Sequence, residues 1–134
     1  MTLCQQWLRK SNQDLIAAET LLKLSPDVSE ELLDIICFHL QQAVEKSLKG
    51  LLILHGQAIV CTHDLCLLQA MAAPIMANIA DHNTLLIALN RYVDDDGFPD
   101  SAATTLKHAD VVTMPEAVTE LVTQIRARCA EEIH

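Results

Sequence analysis

The side chains able to bind or transfer charge gather on one stretch of the chain. His39, Gln42, Lys46 and Lys49 follow one another in steps of three and four, so on a helix they stack along one face. Glu45 stands four residues before Lys49, the order in which a carboxylate and an ammonium pair best on a helix. After a short connection comes Thr62-His63-Asp64-Leu65, which can return His63 to the end of that helix. A histidine there has two uses. It fixes the loop by bonding Glu45 or Gln42, the role this spacing favours, or it joins Lys46 in touching a nucleotide phosphate, which a helix N-terminus also attracts. Lys49 reads most simply as a paired surface lysine, and the stripe as the solvated face of an amphipathic helix. Further on, Arg91 and Tyr92 are candidates for a dimer contact or a binding cleft, with Tyr92 also falling at core spacing.

Other chemistries find little support. Cys61, His63, Asp64 and Cys66, with His55 nearby, are zinc-ligating types, but the paired C-x-x-C spacing is missing, so no metal is expected. A calcium loop ending at Asp96-Gly97 would need an acid at Tyr92 and a glutamate at Ala103, so that run reads as a solvated turn. There is no glycine-rich phosphate loop, no catalytic serine constellation and no H-E-x-x-H pair, and no cofactor is expected. Five cysteines, an odd number scattered on apolar stripes, read as reduced and mostly buried.

The elements that must hold these residues are helices. Trp7, Ser11, Asp14-Leu15, Ala18 and Leu21-Leu22 form one stripe of a helix from about Thr2 to Leu24, broken at Ser25-Pro26-Asp27. A second helix runs from about Ser29, as N-cap, to His55, with Gly56 placed to end it in a left-handed conformation. Thr62 caps a third that stops before Pro74, and Asp81 or Asn83 caps a fourth carrying Leu85, Leu86, Leu89, Tyr92 and Val93. The acidic run Asp94-Asp95-Asp96-Gly97-Phe98-Pro99-Asp100 is a loop, and a short helix follows from Ser101 to about His108. Thr113-Met114-Pro115-Glu116 opens the last helix with a capping box, and its stripe is Val118, Leu121, Val122, Ile125, Cys129 and Ile133. No repeat or linker divides the chain, so residues 1–134 are expected to form one all-α domain, an antiparallel, up-and-down bundle of four to five helices.

Taken in order, several of these fragments resemble one family. The run Phe38-His39-Leu40-Gln41-Gln42-Ala43-Val44-Glu45-Lys46-Ser47-Leu48-Lys49-Gly50-Leu51-Leu52, then Gly56, then Thr62-His63-Asp64-Leu65, is similar to the HEPN domain (higher eukaryotes and prokaryotes nucleotide-binding). That family shows a Q-x-x-E-K-x-x-K helix followed by a T-H-D-L entry into the next. Trp7, Asp14-Leu15, Ala18 and Leu21-Leu22 resemble its W…D-L-x-x-A…L-L pattern, and Leu89-Asn90-Arg91-Tyr92 its L-[ND]-x-Y. The likeness extends from Trp7 to Pro99.

The resemblance implies a compact helical bundle that commonly dimerises. It also implies one of two roles. One is a non-catalytic module, associated with nucleotides or nucleic acid or working beside a minimal nucleotidyltransferase. The other is a metal-independent ribonuclease toxin of a toxin-antitoxin system, in which an arginine and a histidine separated by four to six residues hold phosphoryl charge and move a ribose proton. Here the sequence departs from the family. The positions at that distance after Arg91 are Asp96, Gly97 and Phe98, and the arginine of the family's R-Y-P falls on Gly97. Arg128 and His134 match the spacing only at the chain end and in the wrong helix. The expectation is therefore the non-catalytic homodimeric module, with Gln42, Glu45, Lys46, Lys49, His63, Arg91 and Tyr92 as candidate nucleotide-binding or interaction residues and the ribonuclease toxin as the alternative.

Charge sharpens that choice. Nine Lys and Arg against 18 Asp and Glu give a net charge of −9 over 134 residues, which disfavours nucleic acid as a general partner. The acidic residues around 94–100 would repel an RNA backbone at the place where nuclease relatives keep arginine. A hydrophobic content of 51% is high for a monomer and predicts a homodimer interface. The opening residues lack a secretory pattern, and the longest uncharged stretch, Leu65 to Ala80, is too short to span a bilayer, so a cytoplasmic protein away from membranes is expected.

Overall fold

Thr2 begins the first helix as the sequence requires. Its hydroxyl accepts a hydrogen bond from the Gln5 amide at 3.1 Å, and the Gln5 side chain accepts one from the Thr2 amide at 2.8 Å. This reciprocal cap starts α1, Leu3–Leu22. The computed structural model describes residues 1–58, 61–93 and 111–132. The sequence-based loop at 94–100, the short helix at 101–108, and Ile133 and His134 lie outside the described residues.

A correction comes next. Ser29 does not cap the second long helix. It lies inside a short helix, α2, Pro26–Glu31, which Pro26 opens at a position where its missing N–H costs nothing. The Ser29 hydroxyl donates to the Pro26 carbonyl at 3.2 Å. The chain then bends at Leu32, and α3 runs Leu33–Leu54. It ends as expected. Gly56 has φ +81, and the Gly56 and Gln57 amides bond back to the Ile53 and Leu52 carbonyls at 3.0 Å each.

Two more caps differ from the sequence reading. Asp64, not Thr62, caps α4, Leu65–Ala72, by accepting from the Cys66 and Leu67 amides. The Thr62 hydroxyl accepts from the Asp64 amide and so orders the approach. Neither Asp81 nor Asn83 caps the fourth segment. Asp81 sits in a 3₁₀ turn, Ala77–His82, and Asn83 is the first residue of α5, Asn83–Leu89. A further turn, Asn90–Tyr92, follows, and α6 spans Met114–Glu132.

Helix α3 is the centre of the bundle. Its buried residues surround the whole helix, including Ile36, Leu40, Val44, Leu48, Leu51 and Leu52. It packs against α1, α4 and α6. The order of contacts fixes directions: Ser11 donates to the Ala43 carbonyl while Asp14 reaches His39, so α1 and α3 are antiparallel. Thr119 bonds Glu19 and Arg126 bonds Asn12, so α1 and α6 are antiparallel too. The result is an all-α antiparallel bundle. No helix among the described residues is long and apolar enough to cross a membrane.

At Gly50, α3 comes close to α1. A Cβ built there would stand 3.3 Å from the Trp7 Cβ and 3.4 Å from the Cys4 carbonyl oxygen, neither of which is the free end of a flexible side chain. Gly50→Val should therefore push the two helices apart and cost about 1–3 kcal/mol, despite the better helix propensity of valine. Urea denaturation of the purified variant measures it.

Candidate functional site

The polar face of α3 is turned inward. Glu45 is 3% exposed and Lys49 6%, so the solvated stripe expected from the spacing is in fact roofed by neighbouring elements. Lys49 Nζ donates to Glu45 Oε2 at 3.1 Å and stands 5.8 Å from the centre of the Trp7 ring on α1, within reach of a cation–π contact. The other Glu45 oxygen faces the loop before α4, where His63 Nδ1 lies 3.0 Å away. Gln41 closes the group. Its Nε2 donates to Glu45 Oε1 at 3.3 Å and to the His63 carbonyl at 3.1 Å, while its Oε1 accepts from Gln42 at 2.7 Å.

These bonds define what His63 can do. A carboxylate only accepts, so the Nδ1 facing Glu45 carries the proton. Nε2 of the neutral ring then keeps its lone pair and has no bond partner among the described residues. The His63 side chain is 33% exposed, so this nitrogen is open to water. The ring is held by one buried carboxylate and presents one basic nitrogen outward, an arrangement suited either to locking the loop or to moving a proton.

A second ion group is interleaved with the first along α3. Asp14 of α1 receives Lys46 Nζ at 2.6 Å on one oxygen and His39 Nδ1 at 2.8 Å on the other. Burial alone would raise the Asp14 carboxyl, but the hydrogen bonds and charges of His39 and Lys46 outweigh it and hold the group below its ordinary 3.8. A carboxyl lowered on folding stabilises the fold above that ordinary value, and the contribution fades as pH falls through the lowered one. Asp14→Asn should therefore lower stability at neutral pH, with the difference from wild type shrinking below about pH 4. Denaturation curves taken from pH 7 to pH 3 test this.

The structure unites five of the seven candidate residues on one side of the bundle. Gln42, Glu45, Lys49 and His63 share the first group, and Lys46 belongs to the second. Arg91 and Tyr92 do not join them. Arg91 is exposed on the turn after α5, with no bond to Glu45 or His63 among the described residues. Tyr92 is 1% exposed, inside the core, where its hydroxyl meets the Cys37 thiol.

Asp14, Gln41 and Asn90 escaped notice as polar partners. Asn90 Nδ2 donates to Asp64 Oδ1 at 2.9 Å, and its Oδ1 accepts from the Leu65 amide at 2.9 Å, so it secures the start of α4 next to His63. The available signal was a carboxylate, Asp14, standing inside an otherwise apolar stripe.

The cysteines are free thiols, with Cys4, Cys37 and Cys129 buried. Burial, helped by neighbouring negative charge, pushes Cys37 and Cys129 up to about 12, so both are protonated and unreactive at neutral pH. Among the described residues, no group of three or more His, Cys, Asp or Glu side chains is arranged to hold a metal. Comparison with known proteins adds one finding: the family model described as the HEPN domain matches residues 4–125. No curated protein and no solved structure matches the chain.

Proposed function

The chain belongs to the HEPN domain family, and from that premise we propose that it is a non-catalytic homodimeric module, associated with nucleotides or nucleic acid or working beside a minimal nucleotidyltransferase. The observation that carries this reading is the engagement of its ionic side chains. Glu45, Lys49, Gln41 and His63 are bonded to one another, and Asp14 holds His39 and Lys46, so these groups tie α1, α3 and the α4 entry together. The missing histidine after Arg91 supports the same reading, because an arginine alone can stabilise phosphoryl charge but cannot move the ribose proton.

The alternative, a metal-independent ribonuclease toxin, draws its support from the outward Nε2 of His63. The two separate in one assay. Single-stranded RNA incubated with the purified protein and a chelator should remain intact on a gel. Cleavage that disappears in His63→Ala or Arg91→Ala would overturn the proposal in favour of the nuclease. For the partner, co-expression with a minimal nucleotidyltransferase encoded beside this chain should yield a complex, and repeated failure to co-purify weighs against that part of the reading.

A further inference from the structure

A second organised surface lies away from the Glu45 group, along the outer groove between α1 and α6. The antiparallel pairing of these helices puts Asn12 beside Arg126 toward one end and Glu19 beside Thr119 toward the other. The two ends carry opposite charge. Arg9 and Arg126 line one end, with Lys10 next to them, and no acidic side chain among the described residues lines it. Glu19, Glu116 and Glu120 line the other end, opposed by Lys23 alone. Between them on α1 stands Ile16, 53% exposed, an apolar side chain with no covering element among the described residues.

We propose that this α1–α6 face is where a second copy of the chain docks, with the helices of the two copies antiparallel. This rests on the homodimer reading above and goes further by naming the face and its orientation. Charge complementarity chooses both. Two copies meeting face to face through a twofold axis have two simple arrangements. With the axis along the groove, helices run parallel and Arg9 and Arg126 of each copy face the same cations of the other. With the axis across the groove, each basic end lies over the acidic end of the other copy. The second arrangement sets Arg9 opposite Glu19 and Arg126 opposite Glu120.

The dimensions fit. Arg9 and Glu19 are ten residues apart, about 15 Å along a helix, longer than the screening length of about 10 Å at 0.1 M salt. Each charge therefore acts mainly on what it faces across the contact. Two helices of 20 and 19 residues, packed 8–10 Å apart, offer a face of about 30 by 20 Å. That covers roughly 1,200 Å² over both copies, the lower bound of a stable interface. Ile16 falls near the middle, where an interface keeps its apolar part, and the charges fall toward the rim.

The test is the association state of the full chain by light scattering and sedimentation at micromolar concentration. Wild type should be a dimer. Arg9→Glu and Glu19→Arg each place like charges at both ends of the contact, and each should weaken dimerisation about tenfold or more. Mixed one to one, the two variants again offer opposite charges at both ends, and the mixture should dimerise as wild type does. Circular dichroism checks that each variant is folded. A wild-type monomer would overturn this inference and the homodimer reading together. A wild-type dimer that neither variant weakens would overturn the face alone. Variants that weaken the dimer without restoring it on mixing would overturn the antiparallel charge pairing.

Discussion

Glu45→Ala should destabilise the chain by about 3–5 kcal/mol, measured by urea or guanidinium denaturation at neutral pH. The substitution leaves the Lys49 ammonium, 6% exposed, without its carboxylate and surrounded by helix. It also removes the acceptor that holds His63 Nδ1 and one of the bonds of Gln41. Trp7 remains near Lys49, but a ring face replaces little of the lost charge. The size of the effect belongs to the orphaned cation rather than to any special strength of the pair. Glu45→Leu combined with Lys49→Met should therefore recover most of the loss. A double variant as unstable as Glu45→Ala would show that the group matters through its hydrogen bonds to the loop instead.

Tyr92→Ala should cost a similar amount, about 3–5 kcal/mol, for a different reason. Tyr92 is 1% exposed and packs in the core between the turn that follows α5 and the central helix α3. Truncation removes a large aromatic side chain and leaves a cavity that fixed helices cannot close. Tyr92→Phe keeps the ring and removes only the hydroxyl that meets Cys37, so about 1 kcal/mol is expected. The contrast decides between packing and ligand contact at this position. If both variants fold as stably as wild type while losing an interaction with nucleotide or partner, Tyr92 acts at a surface and its buried position is misread.

Much of the fold was legible because helices announce themselves locally. The start of α1 near Thr2, the stripe through Ser11, Leu15 and Ala18, and Gly56 with φ +81 follow from local needs that sequence neighbours satisfy. The breaks were harder. Ser29 and Thr62 have good capping chemistry, but Pro26 can open a helix as well as end one, and Asp64 offers a stronger acceptor two residues beyond Thr62. Competing caps within a few residues differ by too little for sequence to rank them.

The order and types of the polar residues on α3 were also fixed by sequence alone, since a step of three or four puts side chains on one face whatever surrounds them. Sequence likewise settled the all-α class and the absence of a histidine at the nuclease spacing after Arg91. What it could not supply was the side that face would take. Period locates a stripe on a helix, but burial depends on what packs against it. Only the tertiary structure brought Trp7 and Asp14 of α1 and His63 of the α4 entry over the stripe. That contact across 18 to 42 residues turned a surface pair of Glu45 and Lys49 into a buried one. It also placed Tyr92 in the core and left Arg91 outside, a separation that two adjacent residues in a sequence do not reveal.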